Sequence, residues 1–415
     1  MRTTLIILAL GASCNRAPNR VDPPATREPT ADKTAPSPTV IAGTSYESDL
    51  KKAQDFFATR PLVERPLDVG GEPVEGVGNR SAKTCGACHA AIYKEWSVST
   101  HRHAWNDPQY QKEIQKSGNK WLCVNCHTPT LEQQERWPVG LKEGDVERPT
   151  LVANPRHDPE LMDEGITCVA CHVRDGTIHG PGLPESVAPH PVQADTKFRS
   201  GELCNRCHQA EQSYPGKGFV CTFTTGKEWA ASPQAAQGIG CVDCHMPTVE
   251  RPVATGGPVR TVRRHWFKGS GIPKFADAAP PDDALPGPGL SLRATRDGNN
   301  LFMNLHNTAG HALPSGDPER WVQVDVTFYD AEDRTLPNPY QVRIGQTWEW
   351  HPIPKKVADN RLQPDEQRTN TIPWPAAAER AELRASSHRI SRKNADYHKL
   401  GDYPRSIETH RFTVR

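Results

Sequence analysis

Ten of the twelve cysteines in this 415-residue chain fall into five copies of Cys-x-x-Cys-His. They are Cys85, Cys88 and His89; Cys123, Cys126 and His127; Cys168, Cys171 and His172; Cys204, Cys207 and His208; and Cys241, Cys244 and His245. The chemistry this spacing supports is covalent haem attachment, with two thioethers to the vinyl groups and the adjacent histidine as proximal iron ligand. Zinc sites also use Cys-x-x-Cys, yet they complete a tetrahedron with a second, distant pair and place no demand on the residue after the second cysteine. A disulfide framework belongs mainly to small secreted domains and leaves the five histidines unexplained. A thioredoxin-like redox pair normally occurs once. Five motifs at intervals of 36 to 45 residues therefore imply five c-type haems, each with its iron.

The second axial site of each iron decides whether a haem carries electrons or binds a substrate. The chain has 17 histidines and only four methionines, one of them Met1, so bis-histidine ligation at relatively low potential is the economical expectation. His190, in Ala-Pro-His-Pro, has a rigid extended setting suited to presenting an imidazole, with His179 as its competitor. Ile92, Trp96, Ser99 and His103 recur at helical spacing, which predicts a helix lying along its own haem and makes His103 a distal candidate. His311 sits in a turn-like break, Asn-Thr-Ala-Gly-His-Ala-Leu-Pro-Ser-Gly, where the plain alternative is an exposed histidine on a strand connection. Arg260, Arg263 and Arg264 surround His265 and are candidates to neutralise haem propionates.

The elements that must position these residues divide the chain. Residues 1–14 combine Arg2, the apolar run Leu5 to Leu10 and small residues before Cys14, which resembles a lipoprotein export signal with a lipidated Cys14; an ordinary signal peptide is the alternative. Residues 15–54 are expected as a Pro-rich disordered tether, and 55–275 as a haem domain, mainly α and irregular, wrapped around stacked haems. The segment 276–289 reads as a linker. From 290 to 415 the periodicity becomes two, as in Val322, Val324, Val326 and Phe328, predicting six or so short strands in a small all-β, sandwich-like domain. A hydrophobic fraction of 35% with 39 prolines makes a protein-only core thin, and haem macrocycles would supply apolar volume. The formal charge of +1 suggests no nucleic-acid partner.

Four stretches carry a family resemblance: CGACHAAIYKEWSVSTH from Cys85 to His101, Glu164-Gly165-Ile166-Thr167, CVDCHMP from Cys241 to Pro247, and RRHWFKGS from Arg263 to Ser270. Together they make the chain similar to the cytochrome c-554-type (cytochrome c-552/4) multihaem family, over about half its length. The resemblance implies a compact haem stack with distal histidines supplied from elsewhere in the chain, His101 and His265 foremost. It also implies that the His311 loop reaches back to a haem across the domain boundary. The expected function is electron transfer between redox partner proteins in the periplasm or cell envelope, with membrane anchoring through Cys14. The alternative is a multihaem oxidoreductase acting on a small nitrogen or sulfur compound at one five-coordinate haem. All five motifs end in histidine, so the Cys-x-x-Cys-Lys signature of pentahaem nitrite reductases is absent.

Overall fold

The structure is a computed structural model that describes residues 38–115, 120–182, 188–212, 214, 216–217, 221–278, 289–349 and 353–415. The expected export signal, Cys14, residues 15–37 of the tether and residues 279–288 of the linker lie outside the described residues.

The tether ends earlier than its composition suggests. Thr39–Val40 pairs in parallel with Pro149–Ala153, and Tyr46–Ala58 is a helix capped by the Ser45 hydroxyl, which accepts from the Ser48 backbone at 3.2 Å. The helix closes because Leu50, Ala53 and Phe57 fall on one face. That face packs against Trp121, Trp137 and Val152 in an apolar cluster.

In the cytochrome-like region most described helices are short, and each motif falls on or at the end of one. Ala82–Gly86 carries Cys85, Lys120–His127 holds the second motif, and Cys168–His172, Glu202–His208 and Cys241–His245 hold the others. Between them lie small sheets that the mainly-α expectation omitted: Val173–Arg174 with Thr177–Gly180 and Val192–Ala194, Gln209–Gln212 with Cys221–Thr224, and Thr248–Pro252 with Val259–Arg263. These ribbons are too short for a period-two pattern to stand out from irregular chain.

The C-terminal domain is a sandwich of eight described strands: β1 (Leu290–Asp297), β2 (Asn300–Asn307), β3 (Trp321–Tyr329), β4 (Tyr340–Glu349), β5 (Lys355–Asp359), β6 (Gln367–Pro373), β7 (Arg380–His388) and β8 (Ser406–Val414). One sheet runs β1-β2-β6 and the other β5-β4-β3-β7-β8, with antiparallel neighbours throughout. Strict alternation places Leu301, Met303 and Leu305 opposite Val322, Val324, Val326 and Leu383 in the core between the sheets. Six strands were legible in the period; β5 is exposed along its length and β6 is mostly polar, so neither carries the alternation that marks a half-buried strand.

The two regions are joined by polar contacts. Glu228, on the helix Thr225–Ala230, accepts from Ser315 Oγ at 2.6 Å and from Arg361 Nη1 at 2.8 Å. Asp107 accepts from the Tyr403 hydroxyl at 2.7 Å and from Lys274. The connection between β2 and β3, residues 308–320, thereby lies against the cytochrome-like region.

Candidate haem-binding site

One continuous cavity of about 3920 Å³ is lined by the cysteines and the histidine of all five motifs. Ordinary small-molecule pockets occupy roughly 300–1,000 Å³, so this space fits several macrocycles rather than one ligand. Its walls explain the low hydrophobic fraction: the protein supplies a shell, and the centre is left for apolar cofactors.

Four of the five motif histidines are held in one tautomer. His89 Nδ1 donates to the Val253 carbonyl at 2.9 Å, His127 Nδ1 to Ala104 at 2.6 Å, and His172 Nδ1 to His179 at 2.7 Å; His245 Nδ1 donates to Lys268. A carbonyl only accepts, so the proton sits on Nδ1 and the Nε2 lone pair is free for a metal. Burial pushes the imidazoles of His127 and His208 down to about 4. Both are therefore neutral at ordinary pH, as ligation requires.

Four motif-histidine rings face a second imidazole. The ring centres are 6.4 Å apart for His89 and His190, 6.2 Å for His172 and His265, 6.3 Å for His208 and His101, and 6.1 Å for His245 and His311. Two metal–nitrogen bonds of about 2 Å, plus the reach from each nitrogen to its ring centre, span roughly the same distance. Each pair thus leaves room for one iron. Of the second imidazoles, burial holds His101 down at about 3 and His265 at about 4. His265 and His311 also direct Nδ1 to a backbone carbonyl, Arg263 at 3.0 Å and Ala312 at 2.9 Å.

Two weaker distal candidates are not brought opposite any motif histidine. The helix that was to carry His103 ends at Ser97; the chain then turns, and His103 lies against Phe275 with Nδ1 3.2 Å from Asn106 Oδ1. Helical spacing continued past the actual helix end, which is why the sequence placed it on the haem face. His179 lines the cavity but stands beside Asp195 at 3.5 Å. Its backbone carbonyl, not its ring, serves the site by orienting His172.

His127 differs from the other four. The Tyr110 ring stacks flat beside it, with centres 3.6 Å apart and planes 2° apart. Among the described residues no imidazole faces His127 as the others are faced.

The motifs also touch one another. Cys85 lies beside Cys168, Cys126 beside Cys207, and Cys204 beside Cys241. The first motif therefore adjoins the third, the second adjoins the fourth, and the fourth adjoins the fifth. Cys171 and Cys207 are close enough to interact electrostatically, linking the third to the fourth.

Several residues whose positioning roles the sequence did not reveal surround the site. Glu95 is buried and takes both guanidinium nitrogens of Arg251, at 2.5 and 2.8 Å, together with the His265 backbone N–H at 2.8 Å. Glu164 accepts from the Ala82 backbone at 2.9 Å and from Ser81 Oγ at 2.5 Å, fixing the start of the helix that carries Cys85 from the chain entering the third motif. Gly165, at φ +63°, approaches so closely that a Cβ would stand 2.8 Å from the His101 carbonyl. Of the three arginines near His265, Arg263 pairs with Asp243 at 2.6 Å and Arg264 with Glu95 at 3.3 Å. Arg263 and Arg264 thus each meet a protein carboxylate, Arg264 sharing Glu95 with Arg251.

Residues 84–173, spanning the first three motifs, match the model of the family described as cytochrome c554 and c-prime. Over that segment, the match and the attachment motifs make the chain similar to multihaem cytochromes of the c554 type. The structure is similar to the penta-heme cytochrome c552 from Thermochromatium tepidum, with a TM-score of 0.58 at 18% identity, over 83% of this chain and 99% of that one. At that identity the likeness is one of fold. A superoxide reductase and the ApaA protein of Bordetella pertussis each align to 30% of this chain at 13% identity, covering 86% and 89% of their own lengths, with TM-scores of 0.18 and 0.16, too low for any inference. No curated protein matches the chain.

Proposed function

We propose that this chain is an exported pentahaem c-type cytochrome that passes electrons through five covalently bound haems. It would be placed in the periplasm or cell envelope and held at a membrane if Cys14 is lipidated. Each Cys-x-x-Cys-His motif would hold one haem, and the bound haems supply one-electron iron chemistry. The observation that carries the reading is the set of four imidazole pairs at 6.1 to 6.4 Å. Around them the chain's own residues hold the ring orientation through Nδ1, exclude water, and keep neighbouring motifs in contact. The thiol contacts support a series running first, third, fourth, fifth motif, with the second beside the fourth. The two ends of that series, at the first and fifth motifs, are where redox partner proteins would dock. Mass spectrometry of the exported protein tests the count of five, and low-temperature electron paramagnetic resonance tests the ligation. Four low-spin bis-histidine signals are expected; a predominance of high-spin iron would refute the reading.

A second reading, an oxidoreductase for a small nitrogen or sulfur compound, is favoured by one observation, the lack of an imidazole opposite His127 among the described residues. It requires one high-spin signal per chain that is abolished by cyanide or nitric oxide. Absence of that signal would remove it.

A further inference from the structure

The loop that presents His311 to His245 ends at Arg320, immediately before β3. Arg320 lines the same cavity as the motifs. Its charge bears on His208 and on His311, which places it where the fourth and fifth motifs meet. Arg320 is half-buried, and a guanidinium drawn out of water needs an anion and hydrogen-bond acceptors to meet it, yet the acceptor found for it among the described residues is the Ser315 carbonyl, at 3.4 Å. The charge of Asp317 reaches Arg320, but no described carboxylate forms a hydrogen bond or ion pair with its guanidinium. Asp317 accepts the Glu319 backbone N–H at 2.8 Å, and Asp107 is taken by Lys274 and the Tyr403 hydroxyl. The loop is also shaped to make room for the side chain: a Cβ on Gly316, at φ +83°, would stand 3.2 Å from Arg320 Nη1.

We infer that Arg320 is a carboxylate anchor contributed by the β-domain, binding a propionate of the cofactor at the junction of the fourth and fifth motifs. The inference rests on the pentahaem reading. Arginine suits the task because its planar fork pairs a carboxylate through two parallel hydrogen bonds. One loop then delivers both an axial imidazole and a counter-charge, so docking of the β-domain sets ligation and potential together. A positive charge beside the haem favours the ferrous state, so its removal leaves an unpaired carboxylate and lowers the potential.

Arg320→Gln and Arg320→Lys tested in the full-length exported protein decide the matter by spectropotentiometric titration, with haem content measured by mass. The Gln variant is expected to retain five haems and its low-spin signals while one or two midpoint potentials move downward. The Lys variant, which keeps the charge but loses the fork, moves the same midpoints less, and it carries the test alone if the Gln variant does not assemble. Wild-type potentials in either variant would overturn the inference. So would a wild-type midpoint that responds to added sulfate while the Gln variant does not, because Arg320 would then hold a free anion. Fewer than five haems in the wild-type protein is a separate outcome: it refutes the pentahaem reading itself.

Discussion

His311 and His245 face each other across the cavity with ring centres 6.1 Å apart and planes 14° apart, one supplied by the β-domain and the other by the fifth motif. Each directs Nδ1 to a backbone carbonyl, so both keep Nε2 for a metal between them. The loop is pinned by Asn307, whose Nδ2 donates to the carbonyls of His311 at 2.8 Å and Leu362 at 3.0 Å. The sandwich is thereby built into the cofactor site rather than appended to it.

Replacing His311 with Ala should convert one low-spin haem to high spin, because the axial imidazole is lost while Cys241 and Cys244 still attach the cofactor. Electron paramagnetic resonance reads the change and mass spectrometry checks the haem count. An unchanged spectrum would exclude His311 as a ligand.

Glu95→Ala leaves Arg251 without its buried carboxylate and frees the His265 backbone N–H. Breaking a buried ion pair from one side costs about 3–5 kcal/mol. Denaturant titration should register a loss of that order, accompanied by a weakened low-spin signal from the haem between His172 and His265. Glu95→Gln, which keeps the shape and part of the hydrogen bonding, should lose less.

Gly165→Ala places a methyl group 2.8 Å from the His101 carbonyl and 2.9 Å from that of Arg102, in a left-handed backbone conformation. A substitution incompatible with its native dihedrals costs more than about 1 kcal/mol. The measurable outcome is a lower unfolding midpoint with disturbed ligation at the His208 and His101 pair; a neutral effect would show that the turn can relax.

Glu228 makes docking of the β-domain sensitive to acid. Burial pushes its carboxyl up, but hydrogen bonds from Ser315 and Thr224 and the Arg361 charge outweigh that and hold it below the ordinary range. A depressed folded-state pKa contributes stability that is complete above the unfolded value and lost as pH falls through the folded one. Thermal melting of Glu228→Gln should therefore lie below wild type at neutral pH, with the gap closing below about pH 4, the unfolded carboxylate range. A gap independent of pH would mean that the charge plays no part.

The Cys-x-x-Cys-His motifs were legible because they are local: two thiols and an imidazole within five consecutive residues need no tertiary partner to be recognised, and period-two alternation marked six of the eight described sandwich strands for the same reason. Helical spacing read past its true end misled at His103, where the chain turns after Ser97.

By itself, the sequence determined where cofactors can attach and which candidates could complete their irons. Only the tertiary structure decided which imidazole stands opposite which, joining His190 to His89, His265 to His172, His101 to His208 and His311 to His245. Ligation is a through-space requirement on two nitrogens, and no spacing along the chain encodes it. What the carboxylates of Glu95 and Glu164 and the cation of Arg320 do was not legible for the same reason: what a charge does depends on what folding places beside it.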